Sequence, residues 1–209
     1  MKGMNASLEL PVSPRHLVLE SDPPLTDEEF EKLCFANDQF QLERTKEGKI
    51  EVNPLTGAFT GNANSVINYQ LSAWWDTHGQ GMVFDSSTGF VLPDTSIMAP
   101  DAAYIRETKA QQITEEDGQH FLRMCPDFVI ELLSVSDSPA KTKRKMESWI
   151  SNGAELGWLI DPYRKQVLVY GYGNDDARIE TGPSVKGTGP VEGFTLDLNK
   201  VWRCYQPRR

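Results

Sequence analysis

Cysteine is scarce in this chain, and what there is follows no pairing pattern: Cys34, Cys125 and Cys204 stand far apart, with no CxxC spacing. An odd number of scattered thiols argues against a disulfide framework or a zinc knot and fits a reducing, cytoplasmic setting. Histidine is equally sparse, and His16, His78 and His120 fall at no metal-ligand spacing, which argues against zinc hydrolase chemistry. No apolar run approaches the roughly 18 residues of a membrane span. Residues Met1 to Ser7 carry no apolar stretch of the kind a secretory signal needs. Positive charge is in deficit: 21 Lys and Arg face 30 Asp and Glu, a net charge of −9. That argues against a broadly basic protein that coats nucleic acid. A local basic strip or a bound divalent ion can still reverse the sign at a single cleft. The glycines near Gly171, Gly173, Gly187 and Gly189 form no phosphate-binding loop.

What remains is an ordinary globular composition, 39% hydrophobic and 10% aromatic over 209 residues, enough for one domain with a real core. Residues 1–25, with Pro11, Pro14, Pro23 and Pro24, read as an extended N-terminal arm, and residues 26–209 as a single domain. Thr26-Asp27-Glu28-Glu29 is a capping box that opens a short helix to about Ala36. Phe40 to Arg44 and Lys49 to Asn53 read as a hairpin, and Asn62 to Trp75 as a well-buried helix. Met82 to Phe84 and Gly89 to Leu92 read as a strand pair, followed by a strand from Asp101. A polar excursion spans residues 107–125, with a helical turn near Thr114 to Asp117. Next come a strand over Phe128 to Leu133, a helix from Pro139 to Asn152, and strands at Gly157 to Ile160 and Gln166 to Tyr170. Ile179-Glu180 and Phe194 to Leu198 add late strand or docking segments. The alternation of strands and helices predicts one mixed α/β domain. Trp74 and Trp75, inside an apolar helix, read as core rather than as a stacking surface.

The informative feature is an acid in a greasy strand, Asp127-Phe128-Val129-Ile130-Glu131-Leu132-Leu133. An ionised carboxylate there is costly to desolvate unless a cation or a metal meets it. Alternation puts Asp127, Val129, Glu131 and Leu133 on one face, so Glu131 has apolar neighbours in both directions. Ala99-Pro100-Asp101 places a second acid at the head of another apolar run. If the two strands are neighbours, Asp101 and Glu131 converge at a spacing that Mg2+, with ligand distances of roughly 2.0–2.1 Å, can bridge. A buried salt bridge explains Glu131 equally well taken alone, and a polar strand start explains Asp101. Ser134-x-Ser136-Asp137 reads as a capping segment, with no general base at a predictable place to make a nucleophile of it.

The helix after this strand opens on Lys141-Thr142-Lys143-Arg144-Lys145. Its buried stripe is Thr142, Met146, Trp149, Ile150 and Gly153. At about 100° per residue, Arg144 points away from that stripe and Lys141 lies far from it. Lys143 and Lys145 flank its edges, where a lysine buries its stem and aims its ammonium at the sheet. Helix geometry leaves both as candidates.

Together, Pro100-Asp101-Ala102-Ala103, Cys125-Pro126-Asp127 through Leu132, and Lys145-Met146-x-x-Trp149-x-x-x-Gly153-x-x-x-Gly157-Trp158-Leu159-Ile160-Asp161-Pro162 resemble the Uma family of bacterial proteins in the PD-(D/E)XK superfamily. The likeness extends through Thr26-x-Glu28-Glu29-Phe30, Pro54-x-Thr56-Gly57 and Ser87-Thr88-Gly89-Phe90 and covers roughly residues 25–202. It implies a restriction-endonuclease-like mixed β-sheet flanked by helices, and Mg2+-dependent (or Mn2+-dependent) hydrolysis of DNA phosphodiester bonds. It implies Asp101 as the central metal carboxylate and Glu131 as the acid of the (D/E)XK element. Leu133 stands where that element has its lysine, and the resemblance places the lysine at Lys145 on the following helix. Glu43 is the candidate upstream acid. Asn62 or Asn64 stands where many relatives carry a histidine. DNA is the expected partner, a homodimer is compatible with the sequence, and no membrane is implied. The alternatives are a catalytically inactive nuclease-fold module that binds nucleic acid or protein, and a structural subunit in which Glu131 only pairs with Lys145.

Overall fold

The computed structural model describes residues 17–171 and 177–206; residues 1–16 of the expected arm lie outside them. β1 (Leu17–Leu19) ties the segment before residue 26 to a sheet, pairing antiparallel with residues 50–52. The capping box closes as expected, with Glu29 N–H donating to Thr26 Oγ1 at 3.2 Å and Thr26 N–H to Glu29 Oε2 at 2.9 Å, and α1 (Asp27–Ala36) follows. β2 (Gln41–Arg44) and β3 (Ile50–Asn53) make the expected hairpin. α2 (Ala58–His78) begins a turn before the expected Asn62, with extended Gly57 as its N-cap. It ends where Gly79, at φ 65°, turns the chain into the left-handed region.

One expected pairing fails. β4 (Met82–Asp85) and β5 (Phe90–Val91) do not pair with each other. The Asp85 carboxylate accepts from the N–H (2.9 Å) and hydroxyl (2.5 Å) of Ser87, a local turn that redirects the chain before a hairpin can form. β5 pairs instead with β6 (Ile97–Met98), and β4 with β7 (Ala102–Ile105). The β4–β7 pairing skips two intervening strands, which no local pattern specifies, while β5 folds back on the next strand, which at two residues is too short to show alternation.

After α3 (Glu107–Ala110) and a 3₁₀ turn at Asp117–Gln119, β8 (Phe128–Leu132), α4 (Pro139–Ser151) and β9 (Leu156–Asp161) form a βαβ unit in which β8 and β9 pair in parallel. β10 (Gln166–Gly171) and β11 (Arg178–Glu180) extend the sheet, giving the order β11-β10-β9-β8-β7-β4. β12 (Ser184–Lys186), β13 (Thr195–Asp197) and α5 (Leu198–Arg203) close the chain. A second sheet runs β1-β3-β2-β6-β5. The fold is mixed α/β.

The main sheet is buried on both faces. Phe128, Ile130 and Leu132 of β8 pack with Ile67 and Leu71 of α2 and with Val201 and Trp202 of α5. Val129 faces the other way, with Met146 and Trp149 of α4 and Leu159 of β9. A Cβ at Gly157 would lie 2.3 Å from Met146 Sδ, so only glycine on β9 lets α4 approach this closely. That approach sets the residue beside Met146, Lys145, against the sheet.

Candidate active site

The antiparallel register aligns Ala102 with Ile130, so Asp101 and Glu131 stand one step beyond that pair on adjacent strands. Asp101 is held at both oxygens: Oδ2 accepts from Leu132 N–H at 2.7 Å and Oδ1 from Asn64 Nδ2 at 2.8 Å. Its carbonyl accepts from Asn68 Nδ2 at 3.0 Å. Glu131 Oε1 accepts from Trp149 Nε1 at 2.8 Å and lies 3.0 Å from Lys145 Nζ. Glu43, on β2 in the second sheet, reaches the same lysine at 2.8 Å through Oε1, which also accepts from Ala99 N–H at 3.0 Å, while its Oε2 accepts from Asn53 at 3.1 Å. Lys145 donates in addition to Ala99 C=O at 2.8 Å, so the three donors of its ammonium match three acceptors.

The structure thus brings all four candidates, Glu43, Asp101, Glu131 and Lys145, to the wall of one cleft of about 300 Å3. Of the two lysines left open by helix phasing, Lys145 reaches it and Lys143 is exposed. Lys141, ranked lower from the sequence, also lines the cleft and pairs with Glu51 at 2.7 Å.

Burial raises the Asp101 pKa, and the hydrogen bonds from Leu132 and Asn64 and the charge of Lys145 offset it only in part. Burial raises Glu131 too, to about 8; Lys145 opposes the shift, and the charges of Asp101 and Glu43 add to it. Glu43 is buried too, but the adjacent Lys145 ammonium outweighs that and holds it below the usual carboxylate range. Burial works against the charged form of Lys145, yet Glu131 and Glu43 keep it firmly protonated. Asp101 and Glu131 therefore resist ionising until further positive charge reaches them.

A stability prediction follows from Glu131. Its folded-state value of about 8 lies above the ordinary 4.5, so the fold prefers the neutral acid. Its contribution is present in full below the unfolded value and is lost as pH rises through the folded one. In chelator, Glu131→Gln is therefore expected to raise the Tm at about pH 9 relative to the parent chain, with the gap closing towards about pH 5. Calorimetric melts across that range check it. A gap that is constant with pH would show that Glu131 does not titrate in this window.

The donor chemistry suits a hard divalent cation. Ionised, Glu43, Asp101 and Glu131 bring three negative charges against the one positive charge of Lys145, a deficit that a dication balances. Among the described residues no group of three or more His, Cys, Asp or Glu side chains forms a ready metal cage. Mg2+ does not need one, because it binds through one or two carboxylates and keeps several waters. Asp101 and Glu131 fit that mode, whereas the charge of Glu43 is already balanced by Lys145.

A family model described as "Putative restriction endonuclease", Uma2, matches residues 27–199, most of the chain. The chain belongs to the Uma2 family. Among solved structures, a putative nuclease belonging to DUF820 from Anabaena variabilis superposes with a TM-score of 0.72 at 21% identity, covering 87% of this chain and 99% of that one. At that identity the likeness speaks for the fold. A search of curated proteins found no match.

Sequence reasoning singled out Asn62 or Asn64 by the family likeness but gave no role to the residues that hold the acids. Asn64 and Asn68 are one helical turn apart on α2, and both donate to Asp101; their i, i+4 spacing, which puts both on one face, was the available signal. Trp149 reads from its spacing as core, and it is core, but its N–H also meets Glu131. Its position one turn after Lys145 on the same face was the clue. Asn53 on Glu43 follows only from the β2–β3 register, which aligns Gln41 with Asn53.

Proposed function

We propose that this chain is a Mg2+- or Mn2+-dependent endonuclease that hydrolyses DNA phosphodiester bonds. One observation carries the reading: buried acids from two sheets and one lysine converge on a single cleft, where ionising all three acids takes more positive charge than Lys145 supplies. Membership of a family described as restriction endonucleases and a nuclease-like fold support it.

Asp101 and Glu131 would hold the ion, which when bound activates water and neutralises charge on the phosphate. Leu132 N–H and Asn64 fix the Asp101 carboxylate, and Trp149 fixes Glu131. Lys145 orients the attacking water and stabilises charge developing on the phosphate. Glu43 positions Lys145, since its oxygens are committed to that ammonium, to Ala99 and to Asn53.

The alternative is the catalytically inactive nuclease-fold module that binds nucleic acid or protein. The observation in its favour is that Glu43, Glu131 and Ala99 already saturate Lys145. Nicking of supercoiled plasmid with Mg2+ or Mn2+ and with chelator, compared between the parent chain and Asp101→Asn, separates the two. Metal-dependent nicking that Asp101→Asn abolishes supports the enzyme. DNA binding without nicking supports the module, and a titration showing no Mg2+ or Mn2+ uptake by the parent chain ends the metal mechanism.

A further inference from the structure

Several large apolar side chains are exposed around the mouth of the acidic cleft. Leu55 lines the cleft and is 92% exposed. Phe59, next to the cleft residue Thr60, is 53% exposed, and Tyr163 is 51% exposed. These two rings flank Tyr205, with centroids 6.4 Å and 5.9 Å from it. The Tyr205 hydroxyl donates to Thr60 Oγ1 at 3.4 Å, which ties the cluster to the cleft wall.

Scattered apolar side chains on a surface need no explanation, but a contiguous apolar group at the rim of a polar cleft marks a binding surface. Its occupant follows from the chemistry of the rings and from the cleft they border. Open rings offer stacking, which is indifferent to base identity. An intact duplex keeps its base faces stacked inside and has nothing to present to these rings; an unpaired strand does. We infer that Phe59, Tyr163 and Tyr205, with Leu55, form a stacking platform for unpaired bases, and that the cleft takes single-stranded or locally unpaired DNA in preference to intact duplex. This rests on the nuclease reading of the cleft.

Fluorescence anisotropy in chelator, with a labelled single-stranded oligonucleotide and the duplex of the same sequence, tests it. The single strand is expected to bind more tightly than the duplex. Phe59→Ala and Tyr163→Ala should each weaken single-strand binding about 5- to 150-fold with no change for duplex, and Phe59→Trp should retain it. Both sites are half in water, so the fold has little reason to depend on them. Duplex bound as tightly as single strand, equal losses on both probes, or no binding to either overturns the inference. Plasmid nicking with the same preparations keeps the two ideas apart. Asp101-dependent nicking without strand preference leaves the nuclease and removes the platform. Ring-dependent single-strand binding without nicking sustains the platform and removes the nuclease.

Discussion

Asp101→Asn is expected to give a folded protein that nicks plasmid about 10²- to 10³-fold more slowly than the parent chain. The loss comes from charge. The amide keeps the shape of the carboxylate but cannot supply the negative oxygen that would hold a divalent ion. The fold should tolerate the change for a specific reason. Leu132 N–H needs an acceptor, so the new amide oxygen faces it and the new amide nitrogen faces Asn64. Asn64 Oδ1 is buried without a partner, so a flip of the Asn64 amide turns that orphaned acceptor towards the new donor. A buried carboxylate with a raised pKa is removed at the same time, and Glu131 loses a like-charged neighbour. The Tm should therefore hold or rise. Unchanged nicking would remove Asp101 from the mechanism, and a Tm lowered by more than about 10 °C would show that the flip does not occur.

Lys145→Ala is expected to cost about 3–5 kcal/mol of stability at neutral pH. For a chain of this length that lowers the Tm by about 6–20 °C. The lysine side chain is 20% exposed, and its partners Glu43 and Glu131 only 8% and 6%, so solvent screens the exposed charges poorly once the ammonium is gone. Glu43 suffers most, because Lys145 is what holds it ionised against burial. Without the lysine the Glu43 pKa rises. The deficit is then largest at neutral and alkaline pH and shrinks on acidification, as the carboxyl becomes neutral in the folded state. Adding Glu43→Gln to Lys145→Ala should recover much of the loss, because it removes the stranded charge. A single variant that melts within about 2 °C of the parent chain would mean that Lys145 does not carry this network. Nicking should fall in the single variant and stay low in the double, which separates the role in stability from the role proposed in catalysis.

The legible parts of this protein are those that local chemistry dictates. The capping box at Thr26, proline at the start of α4 and the apolar run of β8 each set an element by rules that act within a few residues. The pairings of β4 and β5 were not legible, because β4 joins a strand beyond its neighbours and β5 folds back on a two-residue strand that shows no pattern. β6, β12 and α5 were missed as well; they are two, three and six residues long, too short to show a period.

The site divides along the same line. The sequence by itself marked Asp101 and Glu131 as acids in apolar strands, limited the basic partner to Lys143 or Lys145 by helix phase, and carried the family likeness that points to Lys145. Only the tertiary structure decided that Glu43, from a different sheet, shares this lysine with Glu131, that Asn64 and Asn68 grip Asp101, and that Trp149 donates to Glu131. Helix phase fixes which way a side chain points and alternation fixes which face it takes, because both are properties of the local backbone. What waits at the end of that side chain depends on how separate sheets and helices pack, and no spacing within one element encodes it.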